Sequence, residues 1–153
     1  MLEKYPKDVK LVIKHFPIFN FARKAATAAL AAGKQGKFWD MHEKLFANQK
    51  ELSDAKVEAI AREIGLNMEQ FNQDLKDPEI RSLIDRDFDN GRQVNIRGVP
   101  TIFVNGRELS QQSLSGFQRA IEAELNKKKH ENSETMTCAS HGLSTRSGMP
   151  KRP

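Results

Sequence analysis

Cysteine is nearly absent from this sequence. The single cysteine, Cys138, lies close to the C-terminal end, so the 153-residue chain cannot form an internal disulfide. No apolar run approaches the ~18 to 20 residues that a membrane helix needs, and charged residues make up 29% of the chain, so we expect no membrane span. The first ten residues, MLEKYPKDVK, lack the basic, apolar and small-residue order of a secretory signal. A chain of this length is expected to form one domain around a core without disulfides.

The sequence also lacks a basic folded surface, although its formal net charge is +5. Residues 1–126 contain 19 Lys and Arg against 18 Asp and Glu, so nearly all of the excess positive charge belongs to residues 127–153. A sequence-reading nucleic-acid module would carry its basic residues on one folded face. We therefore expect no nucleic-acid partner.

Helical patterns fill the middle of the chain. The Ala-rich run from Phe19 to about Lys34 predicts a closely packed helix capped by Gly33. Four further helical segments follow from apolar spacing and capping residues. They are the stripe Phe38, Met41, His42, Leu45 and Phe46, a helix capped by Ser53 or Asp54 and closed by Gly65, a short helix from Met68 to Leu75, and a helix from Pro78 to about Val94.

Strand patterns flank this helical block. Alternating apolar residues predict a strand from Asp8 to Phe16, which stops at Pro17. After Asn95 the period changes, and Thr101 to Val104 predicts a second strand. Asn105-Gly106 is a strong hairpin signal, with Arg107 to Leu109 as the return strand. A final helix carries Leu114, Phe117, Ile121 and Leu125 on one side, and residues 127–153, rich in Ser, Thr, Gly and Lys, are predicted to be disordered.

A proline stands at the start of the second predicted strand, in the stretch RGVPTIFVNG. Proline has no N–H to offer a ladder, but an X-Pro bond adopts the cis form at low cost. A cis Pro100 would leave the backbone groups of Val99 directed outward, able to pair with an extended peptide, and Gly98 would permit the tight turn. The alternative reading is a trans proline that opens an edge strand.

The stretch GVPTIFVNG, followed by a short strand and an amphipathic helix, resembles the cis-proline hairpin of the thioredoxin superfamily. The all-helical segment, with KHFPIF before it and GKFWDMHEKLF inside it, resembles the DsbA-like branch of thiol-disulfide oxidoreductases. The resemblance implies an α/β thioredoxin-like fold in residues 1–126, with an all-helical insertion at about residues 19–94. It also implies that Gly98, Val99, Pro100 and Thr101 form the substrate-docking loop.

The Cys-x-x-Cys motif of that family has no counterpart here, and neither does the family's first strand. Cys138 has no second cysteine to resolve a mixed disulfide, so we expect no catalytic residue and a redox-inactive chain as given. The resemblance implies unfolded or cysteine-containing polypeptides as substrates, a possible redox partner protein and no cofactor. The family is extracytoplasmic, but this chain, expressed alone without a signal, would stay in the cytoplasm.

Other residues favour structural interpretations. His15 is interpreted as a packed or surface histidine, although the end of the first strand could face an active site. His42 is interpreted as a packed core residue or one with a satisfied hydrogen bond. No metal site is expected, because the spacing of His130, Cys138 and His141 fits no familiar zinc pattern. The charged cluster Asp85-Arg86-Asp87-Phe88-Asp89 is interpreted as a solvated helix face.

The sequence is compatible with two other functions. The chain could be a non-catalytic thioredoxin-like module that binds peptides or acts as a chaperone through the Val99-Pro100 loop. It could also be a relative of kappa-type glutathione transferases and chromene isomerases, which share the helical-insert thioredoxin fold. The short insertion makes the latter the weaker alternative.

Overall fold

The computed structural model describes residues 3–140, and it describes the side chains of residues 3–127. Six α-helices and one two-stranded sheet make up the described chain. The elements are α1 (Asn20–Lys34), α2 (Phe38–Ala47), a short 3₁₀ turn (Gln49–Glu51), α3 (Asp54–Glu63), α4 (Met68–Asp74), α5 (Pro78–Gln93), β1 (Phe103–Val104), β2 (Arg107–Glu108) and α6 (Leu114–Ser140). No helix in this described part is long and apolar enough to cross a membrane.

The chain divides into two compact units. Residues 12–99 form the first unit, which contains α1 to α5, and the described residues 3–11 and 100–140 belong to the second, which contains the hairpin and α6. The predicted helical block corresponds to the first unit, and the predicted hairpin and final helix belong to the second.

The core of the helical unit is built on α1. Ala28, Ala31 and Ala32 are fully buried, which confirms that the Ala-rich helix packs closely against its neighbours. Large side chains from the other helices surround this small-residue surface. The most deeply buried of them are Met41, Ile60, Phe71 and Ile84.

Side-chain oxygens cap the N-termini of three of these helices, where the first backbone N–H groups lack partners within the helix. Ser53 accepts a hydrogen bond from the Lys56 N–H at 3.2 Å, and Asn67 accepts one from Gln70 at 3.0 Å. Asp77 accepts from the Glu79 N–H at 2.7 Å, directly before the proline that opens α5.

Three helices end in the same backbone motif, with a residue of positive φ just past the C-cap. In α1 that residue is Gly36, at φ 72°, and not Gly33 as the sequence predicted. Gly33 is still helical, and Gly36 donates to its carbonyl while Lys37 donates to Ala32, as in a Schellman motif. Gly65 and Asn95 end α3 and α5 in the same way.

The predicted strand from Asp8 to Phe16 is wrong. This segment forms no ladder with any described residue, and Leu11 and Val12 are exposed. An alternating pattern becomes a strand only when a neighbouring strand accepts its hydrogen bonds, and β1 and β2 pair only with each other.

Helix α6 extends further than predicted. Its backbone is helical to Ser140, where the sequence analysis expected disorder from residue 127 onward. Residues 127–140 contain neither glycine nor proline, so nothing in their backbone chemistry stops the helix. Residues 141–153, the rest of the predicted tail, lie outside the described part of the chain.

Candidate functional site

The predicted docking loop follows directly from the end of α5. Gly98 and Val99 are the last residues of the helical unit, and Pro100 and Thr101 begin the arm that leads into the hairpin. The Val99 side chain is 56% exposed. Neither the N–H nor the C=O of Val99 has a hydrogen-bond partner among the described residues. Val99 therefore presents both an apolar side chain and unpaired backbone groups.

Pro100 lies before the ladder of the hairpin. The Leu109 N–H donates to the Ile102 carbonyl at 2.8 Å, and the paired residues are Phe103 with Glu108 and Val104 with Arg107. The missing N–H of Pro100 therefore costs the sheet no hydrogen bond, and a proline is tolerated at the start of this strand.

The hairpin turn is the one that the sequence predicted. Asn105 and Gly106 both have positive φ, at 47° and 79°, as a two-residue type I′ turn requires. The Asn105 amide also donates to Glu124 on α6 at 3.2 Å. Hydrogen bonds from Lys127 and then from Asn105 lower the pKa of the Glu124 carboxyl. The turn is thus tied to the helix that follows it.

Gln112 holds the other end of the loop, a role that the sequence analysis missed. Its side-chain amide donates to the Pro100 carbonyl at 2.9 Å. The segment that carries Gln112 is fixed to α6, because Ser113 caps the helix by accepting from the Gly116 N–H at 3.1 Å. Gly116 lies so close to the Gln111 carbonyl that no Cβ fits between them. Pro100 is therefore positioned through a side chain that no local sequence signal identifies.

Asp87, in the helical unit, corrects the prediction for its charged cluster. It is 6% exposed, whereas the cluster around it was interpreted as a solvated face. Its carboxylate accepts from the Lys14 ammonium at 2.9 Å and from the His15 backbone N–H at 3.1 Å. The spacing of Asp87 in the sequence indicates its burial, because residues 80, 84, 87 and 91 recur on one side of a helix and all four are buried.

The segment that Asp87 binds also packs on α5. The Phe16 ring stacks on Phe88 with ring centroids 4.7 Å apart, and a Cβ on Gly91 would lie 2.6 Å from the Phe16 ring. His15 lies beside these contacts and is half-buried, and its desolvation lowers the pKa of the imidazole while Asp87 opposes that shift. His15 is thus a packed histidine in this chain.

His42 belongs to a row of aromatic rings on α2 rather than to the core. Its ring lies 5.6 Å from Phe38 and 4.7 Å from Phe46. Phe46 is 62% exposed, and only Met41 and Leu45 of the predicted apolar stripe are buried. Partial burial lowers the pKa of His42.

No group of His, Cys, Asp and Glu side chains in the described part of the chain could hold a metal ion. The side chains of His130, Cys138 and His141, considered in the sequence analysis, lie outside that part.

The order of a helical block, a hairpin and a C-terminal helix agrees with a thioredoxin-like fold that carries a helical insertion. The family model described as thioredoxin matches residues 1–123, and the chain belongs to this family. The predicted fold class and the resemblance to DsbA-like proteins are thereby confirmed.

Two solved structures share the fold. A thioredoxin-like oxidoreductase from Silicibacter pomeroyi DSS-3 matches 74% of this chain and 66% of its own, with a TM-score of 0.64 and 28% identity. The thiol-disulfide exchange protein alpha-DsbA2 from Wolbachia pipientis matches 73% of this chain and 63% of its own, with a TM-score of 0.66. At 22% identity, the second likeness concerns the fold alone.

Curated relatives carry a different name. "Na(+)/H(+) antiporter NhaA 1" from Salinispora arenicola is 38% identical over 103 residues, which are 65% of this chain and 16% of that protein. "Na(+)/H(+) antiporter NhaA 1" from Mycolicibacterium vanbaalenii is 33% identical over 122 residues, or 76% of this chain and 20% of that protein. The chain thus spans only a sixth to a fifth of the length of these relatives.

Proposed function

We propose that this chain is the substrate-docking part of a DsbA-like protein thiol-disulfide oxidoreductase. Gly98 to Thr101 would bind an extended segment of a cysteine-containing polypeptide. The observation that carries the proposal is the backbone of Val99, whose N–H and C=O have no partner among the described residues, next to a Pro100 carbonyl fixed by Gln112.

An extended peptide can pair with such groups as an added strand does. Main-chain hydrogen bonds of this kind supply affinity with little dependence on the substrate's sequence. The exposed Val99 side chain offers an apolar contact beside them. Because Pro100 has no N–H, the ladder of the hairpin cannot continue into the loop, which keeps Val99 available.

Disulfide exchange itself requires one thiolate to attack and a second thiol to resolve the mixed disulfide. The sequence has one cysteine, so we expect the polypeptide as given to be redox-inactive. In a protein that contains this chain, the Cys-x-x-Cys pair would come from outside these 153 residues. By family, its substrates would be exported proteins and its location extracytoplasmic.

The names of the curated relatives do not alter this proposal. They belong to proteins of which this chain matches 16% to 20%, whereas the thioredoxin family model covers residues 1–123 of the chain itself. The S. pomeroyi neighbour, at 28% identity, is named an oxidoreductase.

Peptide binding tests the proposed docking loop without any redox chemistry. A fluorescent, unstructured peptide with its cysteine replaced by serine is titrated with the chain, with Pro100→Ala and with Pro78→Ala. Pro78 opens α5 and is exposed, so its replacement is a matched control. We expect Pro100→Ala to weaken binding about tenfold, the equivalent of one or two backbone hydrogen bonds.

Equal affinities for the two proline variants would refute the docking role of the loop. A separate assay of insulin reduction by the chain with Cys138→Ser addresses the chemistry. We expect no reduction above background, and catalytic turnover would show that the account of the cysteines is wrong.

A further inference from the structure

A solvent-open cavity of about 500 Å³ lies within the helical unit, and no residue of the docking loop lines it. Its lining comes from α1, α3 and α5 and from Leu75 and Asp77, which lie between α4 and α5. Ile84 is buried, and Val57 and Leu75 are half-buried, so part of the lining is apolar. A volume of this size lies within the range of small-molecule sites in proteins, roughly 300 to 1,000 Å³.

The charged side chains that line the cavity are paired, with one exception. The pairs are Lys24 with Asp54, Arg23 with Asp85, Glu58 with Arg62, and Asp77 with Lys34. The guanidinium of Arg81, which also lines the cavity, has no hydrogen bond or ion pair with any residue whose side chain the structure describes. The exposed Arg81 guanidinium is therefore open to a ligand, whereas the three carboxylates that line the cavity each have a Lys or Arg partner.

Arginine is suited to binding a carboxylate. Its planar guanidinium presents N–H donors in a fork that matches the two carboxylate oxygens, and such bonds are stronger than those between neutral groups. Asn20, an exposed residue, lines the same cavity, and its side-chain amide likewise has no partner among the described side chains. The site thus combines a cation, a polar donor and apolar walls.

We propose that this cavity binds a small amphiphilic monocarboxylate of the fatty-acid class, with its carboxylate on Arg81 and its chain against Val57, Leu75 and Ile84. The single unpaired positive charge matches a single negative charge, and the half-buried apolar side chains match a hydrocarbon chain. This inference goes beyond the proposed function, because it concerns a ligand of the helical insertion and does not depend on disulfide exchange.

Calorimetric titration of the 153-residue chain with decanoate tests the proposal, with decanol as the uncharged probe of the same chain length. The variants are Arg81→Gln and, as a matched control, Arg86→Gln. Arg86 is an exposed residue of the same helix that does not line the cavity. We expect decanoate to bind more tightly than decanol, and Arg81→Gln alone to weaken decanoate binding about tenfold, because a charge-assisted hydrogen bond is lost.

Amide chemical shifts of the unmutated chain give a second measurement that does not rely on any variant. Decanoate should shift the amide signals of Thr27, Val57 and Leu75 in preference to those of the hairpin and α6. The proposal is overturned if millimolar decanoate does not bind, if Arg81→Gln binds it as tightly as Arg86→Gln does, or if the shifted signals lie outside the cavity.

Discussion

Replacing Asp87 should destabilise the helical unit more than any other single change of an acidic residue on α5. Asp87 is the one buried charged residue in the described part of the chain, at 6% exposure. Its carboxylate joins α5 to residues 14 and 15 through the Lys14 ammonium and the His15 backbone N–H. Asp87→Ala removes both hydrogen bonds and leaves a partly buried N–H without an acceptor.

The two bonds contribute unequally to the free energy of unfolding. The His15 N–H donates to a buried carboxylate, and a hydrogen bond to a charged group contributes about 1.5 to 3 kcal/mol. The Lys14 side chain is 58% exposed, so water screens its ion pair and limits that contribution to about 0 to 1 kcal/mol. Asp87→Ala should therefore cost about 2 to 4 kcal/mol. Asp87→Asn keeps one acceptor for the His15 N–H and should cost about half as much.

Urea unfolding at pH 7, followed by circular dichroism, measures this difference. With a urea dependence of roughly 1 to 3 kcal/mol per molar, Asp87→Ala should lower the midpoint by about 1 to 2 M. The matched control is Asp89→Ala, an exposed position of the same helix, where a change within about 0.5 kcal/mol is expected. If Asp87→Ala and Asp89→Ala unfold at the same urea concentration, the reasoning about the buried carboxylate is refuted.

Three further predictions follow from contacts in the same unit. Desolvation lowers the pKa of His15 below its ordinary value of 6.5, so the unfolded chain takes up the proton first as pH falls. The free energy of unfolding should thus decrease below about pH 6.5. In urea unfolding at pH values from 7 to 5, His15→Gln should make the free energy of unfolding less dependent on pH. An unchanged pH dependence would contradict the role of His15. Gly91→Ala would place a Cβ 2.6 Å from the Phe16 ring, which should cost about 1 to 3 kcal/mol by overpacking, less a gain of up to ~1 kcal/mol in helix propensity. In a chain that already carries Phe16→Ala, Gly91→Ala should cause no further loss of stability. A further loss in the double variant would assign the effect of Gly91→Ala to another cause. Hydrogen bonds from Lys34 and then from the Glu79 N–H lower the pKa of Asp77. Asp77→Ala should therefore lower the urea midpoint at pH 7, and this effect should be lost as pH falls below about 4. The same midpoint shift at pH 7 and pH 3 would show that the Asp77 charge is not involved.

The helices were predictable because their signals are local. Ser53 and the Asp77-Pro78 pair mark where α3 and α5 begin, and the apolar spacing within each segment sets its buried side. The end of α1 near Lys34 agrees with the prediction, but the capping glycine does not, because Gly36 and not Gly33 adopts positive φ. The Asn105-Gly106 turn was equally local, because type I′ geometry favours this dipeptide.

The contacts that were missed are non-local. The segment from Asp8 to Phe16 has the alternation of a strand, but no described strand pairs with it. The charged residues around Asp87 favoured a solvated face, although its position in the helical repeat with Ile80 and Ile84 indicated burial. Gln112 lies in an irregular segment between β2 and α6, where no periodicity identifies its partner, so its hydrogen bond to Pro100 emerged only from the structure.

The docking loop is predicted from a motif and a family resemblance. The most direct test is a chimera in which the first strand and Cys-x-x-Cys helix of a DsbA-like oxidoreductase are joined before residue 1 of this chain. We predict that the chimera reduces insulin, that Pro100→Ala slows this reaction by about tenfold, and that Pro78→Ala does not. A folded chimera without activity, or one whose activity is equal in the two proline variants, would contradict the proposal that the Pro100 loop docks the substrate of a disulfide oxidoreductase.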